Sequence, residues 1–334
     1  MKERNRILII DLARLGDLTL SSPVTANLRS NHPIAHIAFL VSRDSLPTVS
    51  NNPKLNEVFI YDKPSGNLFT KINNLWKTSR LIRKGKFQTA FILHRSFTSA
   101  LIAFLSGIPE RIGHITQGRG FLLTKRIPLD RKRHRLDNNL KILEAAGEEV
   151  NFRNPEYFPD ATQTDIVKNA IEFKNAKKLV VINPNGVWET KRWSIECFAQ
   201  VAKALSENNG LRVIIIGGKG DEERGRKTSG VDKNILNLTG KTTIDDLYNI
   251  MKISDLIITN DSGPMHIAAC AGSNIIAIFG PTDPQRCGPR SQNPVILYGD
   301  VHCLKCYKKT CETMRCMENL SVDKVLSEAE KILA

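Results

Sequence analysis

What the sequence lacks narrows it first. No apolar run approaches the roughly 18 residues that a membrane-spanning helix needs, so the chain is not expected to cross a bilayer. The N-terminus, MKERNRILIIDLARLGDL, starts basic, but Asp11, Arg14 and Asp17 interrupt its short apolar run and no small-residue cleavage site follows. It reads as a first strand rather than an export signal, which makes the cytoplasm the expected compartment. Aromatic residues are scarce, at 6%, leaving little surface for stacking single-stranded bases. Zinc-finger, helix-turn-helix and RNA-recognition signatures are missing, so nucleic acid is not the expected partner. Repeats of solenoid length are also missing. Acidic residues are outnumbered, with 34 Asp and Glu against 48 Lys and Arg, a net charge of +14. Such an excess favours an anionic substrate or an anionic membrane surface. Its densest run is TKRIPLDRKRHRLD, Thr124 to Asp137.

What is present is an alternation. The 334 residues suffice for about two domains. Short β-branched runs recur: RILII, HIAFLV, EVFIY and TAFIL in the first half, with shorter ones near Arg111–Gly113 and Lys125–Pro128. KLVVIN, RVIIIGG, ILNLTG, LIITND, IIAIFG and VILYGD follow in the second. Several are apolar throughout, as in strands covered on both faces. Helical stretches fill the gaps. DLTLSSPVTANLRS follows the first strand. SIECFAQVAKALSEN repeats apolar residues near a 3.6 period, with Ser194 as N-cap and Gly210 as stop. Strand–helix alternation of this kind gives parallel sheets, so the expected class is α/β. The period lapses near EEVNFRNPEYFPDATQTD. The expected division is an N-terminal domain over 1–155, a linker over 156–176, a second domain over 177–320 and a C-terminal helix over 321–334. Two open α/β domains facing each other would border a cleft with the carboxyl ends of both sheets, where ligands bind.

Three turns carry the chemistry. RLGDLTLSSP, Arg14 to Pro23, leaves the first strand and turns at Gly16, and a helix is expected to start at Asp17. Asp17 has two readings, a helix N-cap or a general base that takes a proton from an attacking hydroxyl. NPNGVWETKRWSIECF, Asn183 to Phe198, sets Lys191 and Arg192 just before a helix, where cations and backbone N–H groups suit a diphosphate. The competing reading is two solvated cations beside a packed Trp193. In TNDSGPMHIAACAGSNIIAIFGPTDP, Asp261 or Ser262 caps a helix, Gly263 admits a ligand and Pro264 suits the first turn. His266 lies inside that turn, as a packed or a catalytic side chain. A carboxylate is out of place in a bare phosphate cradle, so Asp261 is expected to accept hydrogen bonds from sugar hydroxyls or to cap the helix. Finally, CLKCYKKTCETMRCM groups Cys303, Cys306, Cys311 and Cys316. A structural zinc clip, packed or redox-labile thiols, and disulfides are three open readings.

Together RLGDLTLSSPV, HRSFTSALIAFLSGIPERIGH, KRWS and NDSGPMHIAA…GPTDP resemble glycosyltransferase family 9, the bacterial heptosyltransferases of lipopolysaccharide core synthesis. The motifs keep the family's order over nearly the whole chain. The resemblance implies a GT-B architecture of two facing Rossmann-like domains, an acceptor-binding N-terminal half and an ADP-heptose-binding C-terminal half. It implies inverting transfer without a catalytic metal or other required cofactor. Asp17 matches the family's base and Lys191 the lysine that meets the donor diphosphate. The expected donor site is Asn185, Lys191, Arg192, Asp261, Ser262, Gly263, Pro264, Met265, His266, Thr282 and Asp283. The expected acceptor site is Arg14, His94, Arg95, Ser96, Arg133 and Arg135, with His94 standing where an acid is more usual. The expected partners are a nucleotide sugar, an anionic lipopolysaccharide-core acceptor and, peripherally, the inner face of the inner membrane. A family member moving another sugar, or a basic nucleotide- or nucleic-acid-binding module, are the rival readings.

Overall fold

The structure is a computed structural model that describes residues 3–63, 67–230 and 232–334. The apolar runs become strands: β1 (Arg6–Ile10), β2 (His36–Ser42), β3 (Glu57–Tyr61), β4 (Thr89–Ile92), β5 (Glu110–His114) and β6 (Lys125–Ile127). In the second half they are β7 (Lys178–Asn183), β8 (Leu211–Ile215), β9 (Ile235–Asn237), β10 (Leu256–Asn260), β11 (Ile275–Ile278) and β12 (Val295–Leu297). Expected strands that ran on into glycine, such as RVIIIGG and IIAIFG, stop earlier, because the chain leaves the sheet edge there.

Among the described residues the strands form two six-stranded parallel sheets, ordered β3-β2-β1-β4-β5-β6 and β12-β11-β10-β7-β8-β9. The two orders are equivalent. In each, the chain winds outward from a central pair, β1 with β4 and β7 with β10. The chain divides into two compact units, one ending at Phe158 and the other starting at Pro159.

Each sheet is buried on both faces by alternation along its strands. Ile7 and Ile9 pack with Phe39 and Phe91 on one side of the first sheet. Leu8 and Ile10 pack with Leu40 and Ile92 on the other. In the second unit Val180 and Ile182 meet Trp193 and Phe198, whose rings stand edge to face at 5.1 Å. Trp193 donates its Nε1–H to the Leu320 carbonyl at 3.2 Å.

Two helical expectations change. DLTLSSPVTANLRS is broken into helices Leu15–Thr19 and Ser22–Asn31, with Pro23 in the first turn of the second. The segment expected as a linker contains a helix, Asp165–Lys174, capped by Thr164 and burying Val167 and Ala170. At the C-terminus, helix Val322–Leu333 is capped by Ser321 and packs Val325, Ala329 and Leu333 into the second unit's core. Among the described residues no helix is long and apolar enough to cross a membrane.

Phe198→Ala should destabilise the second unit by about 3–5 kcal/mol through the cavity it leaves. The denaturant midpoint followed by circular dichroism checks this, and a loss under about 1 kcal/mol would displace the Trp193–Phe198 contact from the centre of that core.

Candidate active site

In a sheet wound outward from a central pair, the helices after the two central strands go to opposite faces, and a crevice opens at the carboxyl edge between them. The first unit fills that position from the ends of β1 and β4. Just past β1, Asp11 is fully buried and accepts from the Ala13 backbone N–H at 3.1 Å and the Ser21 hydroxyl at 2.6 Å. The next helix starts at Leu15 with the exposed Arg14 at its N-cap position, so Asp17 lies within the first turn and is not the cap. This leaves Asp17 for another partner. Its Oδ2 is 2.9 Å from Nη1 of Arg135, whose Nη2 approaches Asp11 at 3.4 Å. Burial opposes the charge on Arg135, but Asp17 and Asp11 outweigh it and hold the guanidinium protonated.

Beyond β4, His94 meets the Ser96 hydroxyl at 2.9 Å, and Ser96 caps the helix Phe97–Leu105. Arg95 follows His94, and its carbonyl accepts from Thr116 at 2.7 Å. Beneath this loop lies a residue the sequence did not flag, Arg119, fully buried. It donates to the carbonyls of His94, Ser96 and His114 and to the Ser99 hydroxyl. Burial, with Arg95 adding repulsion, lowers its pKa to about 10. Of the remaining expected acceptor residues, Arg133 is exposed and 3.7 Å from Asp130. Arg135 is committed to two carboxylates, so the basic run Thr124–Asp137 presents less open charge than its sequence suggests.

The second unit uses β7 and β10 in the same way. Asn183, at the end of β7, donates to Thr259 at 3.0 Å and to Ser262 at 2.8 Å, tying the two central strand ends together. Ser262 occupies the N-cap of helix Gly263–Ala271 but its hydroxyl accepts no bond from the helix. Pro264 and Met265 form the first turn, and Met265 and His266 are buried. Asp261 precedes the cap. It does not cap the helix: Lys191 Nζ lies 2.7 Å from Asp261 Oδ2, which also accepts from the Thr282 hydroxyl at 2.5 Å. The acid therefore holds the cation in place. Asp283 caps the short helix Pro284–Cys287 and pairs with Lys305 at 3.1 Å.

Two expected donor residues are turned inward. Arg192 donates its Nε–H to the Gly186 carbonyl at 2.6 Å, which folds the loop onto itself. Asn185 is buried between the Ile216 carbonyl and Arg224. Arg224, unseen in the sequence reading, brings a half-buried guanidinium to this loop, its pKa lowered by burial first and by Arg192 second.

The cysteine-rich segment lies against the same loop. Thr190 donates to the Lys308 carbonyl at 2.8 Å, and Tyr307 N–H reaches the Pro281 carbonyl at 2.8 Å. Lys191 and Lys309 both approach the Trp188 ring, at 4.7 and 5.4 Å from its centroid. Trp188, Tyr307 and Lys309 carry no helical or strand periodicity, so sequence pattern gives no signal for them. None of the seven cysteines is joined in a disulfide; Cys303, Cys306 and Cys311 are exposed and Cys316 is buried. The disulfide reading is thereby corrected. Backbone N–H groups of Met314 and Thr313 lower the Cys311 pKa, whereas burial and the neighbouring thiols raise that of Cys316. Among the described residues no three His, Cys, Asp or Glu side chains are arranged to hold a metal.

Burial lowers the pKa of His94, against Asp11 and with Arg135, Arg119 and Arg95. Burial also lowers that of His114, against its bond to the Asn138 carbonyl. The unfolded chain therefore takes up protons that the native rings refuse. Their contribution to stability is complete above about pH 6.5 and is lost as the pH falls below it. The melting temperature should drop between about pH 7.5 and 5.5, and His94→Gln should remove part of that drop. An unaltered pH slope in the variant would show that His94 titrates alike in the native and unfolded chains.

Comparison with known proteins agrees with this geometry. Residues 75–316 match the pattern of glycosyltransferase family 9 (heptosyltransferase). Lipooligosaccharide heptosyltransferase 2 of Campylobacter jejuni subsp. jejuni serotype O:6 is 30% identical over 95% of this chain and 96% of its own. The solved structure of a family 9 glycosyltransferase from Veillonella parvula DSM 2008 superimposes with a TM-score of 0.84 at 26% identity, over 99% of this chain and 97% of that one. That of the E. coli ADP-heptose lipopolysaccharide heptosyltransferase II gives 0.79 at 22% identity, over 98% of each, and identifies the fold as GT-B. With its pattern matched across most of its length and the same pair of doubly wound sheets, this chain belongs to glycosyltransferase family 9, the heptosyltransferase family.

Proposed function

We propose that the protein is an inverting heptosyltransferase that moves heptose from ADP-heptose to a lipopolysaccharide inner-core acceptor. The observation that carries the reading is Lys191, fixed 2.7 Å from Asp261 beside a helix whose N-terminus no side chain caps. A held cation beside a helix N-terminus is what a diphosphate leaving group requires. The related enzymes support the substrates: the Campylobacter relative is a lipooligosaccharide heptosyltransferase, and the E. coli structure is that of an ADP-heptose enzyme.

In this reading Asp17 is the base. Of the two carboxylates on Arg135, Asp11 is sealed while the Asp17 side chain is 41% exposed. Arg135 orients Asp17, and Asp11, itself bonded by the Ser21 hydroxyl, holds Arg135 from behind. Asp17 takes the proton of the acceptor hydroxyl, and that oxygen attacks the anomeric carbon. The bond to the diphosphate breaks, and Lys191 with the helix N–H groups receives the charge of the departing ADP. One displacement inverts the anomeric centre. His94, with its depressed pKa, supplies a neutral ring beside Ser96 for acceptor hydroxyls, and Arg14 and Arg95 supply charge for acceptor phosphate or carboxylate.

Asp17→Asn should lower kcat by about 10²–10⁴-fold with ADP affinity unchanged; near-full turnover would remove Asp17 as base. Lys191→Ala should weaken ADP binding and lower kcat by about 10²-fold or more. Unchanged ADP affinity would sink that role. Asp261→Asn should weaken ADP and the ADP-sugar alike, because its task is to hold Lys191. A loss confined to the sugar would instead show direct sugar contact. Screening ADP-, UDP- and GDP-sugars against a truncated core acceptor tests the donor itself.

A further inference from the structure

We propose that helix Leu68–Lys84 is a docking face for an anionic phospholipid surface. The helix is held to the first unit by Thr78, Ser79 and Ile82, which are buried. Leu75 also packs against the core, whereas four other apolar residues are not covered: Leu68 is 72% exposed, Phe69 77%, Ile72 47% and Trp76 48%, with Leu81, 49% exposed, standing apart from them. At 3.6 residues per turn these four fall within an arc of about 100°. They form a stripe, and Arg80 and Arg83 lie along the same side. The neighbouring helix Phe97–Leu105 and the turn Arg119–Leu122 contribute two more exposed rings, Phe97 and Phe121, with centroids 6.1 Å apart.

Charge selects the occupant. Between Asp62 and Glu110 the sequence has no acidic residue and eight Lys or Arg, five of them in the helix itself. Asp62, at the start of that stretch, is already bound by Arg43 through two bonds of 2.5 and 2.7 Å. Aliphatic and aromatic side chains at the tip of a one-signed basic element are the pattern of an interfacial helix, with the apolar stripe in the headgroup–acyl boundary and the cations at the phosphates. Trp76 suits that boundary. A nucleic acid would meet the cations but has no use for Leu68 and Ile72. A second copy would set two basic faces against each other. The run Thr124–Asp137 is a weaker platform, because Arg133 and Arg135 are paired with Asp130, Asp11 and Asp17. The inference stands whichever sugar is moved.

The test is co-sedimentation of the full chain with vesicles of phosphatidylethanolamine and phosphatidylglycerol, and with vesicles of phosphatidylcholine alone. The wild type should pellet with the first and stay in solution with the second. Phe69→Ser/Trp76→Ser and Lys77→Glu/Arg80→Glu should each lower partition at least about tenfold, since each basic residue at the surface is worth about fivefold. Both variants should keep the wild-type melting curve and the wild-type transfer rate to a soluble acceptor. Brominated acyl chains should quench the emission that Trp76→Phe removes. Equal sedimentation of the variants overturns the proposal, as does failure of the wild type to pellet with the anionic vesicles. So does a dimer that the same substitutions dissolve, or duplex DNA bound through the same residues. Vesicle binding is read without donor or acceptor, so a failed transfer assay bears on the catalytic reading alone.

Discussion

Parallel winding is the constraint on which both units depend. A parallel strand can return only by crossing over a face of the sheet, and that crossover is right-handed. When the chain starts in the middle and winds one way, then returns to the middle and winds the other, the two central strands send their loops apart. β1 with β4, and β7 with β10, are those pairs. Every residue given a chemical role in this protein lies on one of the four loops that follow them or on a segment that packs there. The β-branched core exists to hold those loop ends at a fixed spacing.

The two sites share an electrostatic device. In each, a carboxylate at the sheet edge is paired with a cation brought from elsewhere in the chain. In the first unit Arg135 joins Asp11 to Asp17; in the second Lys191 joins Asp261. Such a pair adds little to stability where it is exposed. Its value is positional, because it leaves a long flexible side chain with one resting place. The roles are reversed between the units. In the first the arginine orients an acid, and in the second the acid orients a lysine. The signs suit a proton acceptor in one unit and an anion site in the other.

Much of this is legible in the sequence, because parallel strands buried on both faces are continuous apolar runs, a pattern that little else in a globular chain produces. Among the described residues most strands occur where such runs stand, with ends displaced by a few residues at glycines; β5 and β6 are the mixed-sequence exceptions. Helix Leu68–Lys84 is not legible. Most of its apolar residues face outward, so the periodicity that normally marks a packed face does not describe a core. Arg119 escapes notice because an arginine reads as surface, whereas here carbonyls of the His94–Ser96 loop solvate it inside the protein. Asp17 suits a cap in sequence because it follows Gly16, but the helix starts two residues earlier and leaves the carboxylate to Arg135. Arg192 and Asn185 look like ligands because they stand near Lys191. In the fold each already donates to a backbone carbonyl, Arg192 to Gly186 and Asn185 to Ile216. Neighbouring side chains on an irregular loop point in directions that only the folded backbone decides.

The Thr190–Lys308 bond has a consequence for synthesis. A nascent chain leaves the ribosome N-terminus first, and its domains fold as units in that order. The first unit has its full sheet once β6 has emerged. The second cannot close its sheet until β12, its last strand, is out, and the loop that carries Lys191 still lacks its covering segment at that stage. Trp193 lacks the Leu320 carbonyl as well. The first unit thus exists before the loop that carries Lys191 is covered. A chain arrested over its final stretch would hold a finished first unit and an unfinished second one. The Lys191–Asp261 pair and its surroundings are among the last things the chain completes.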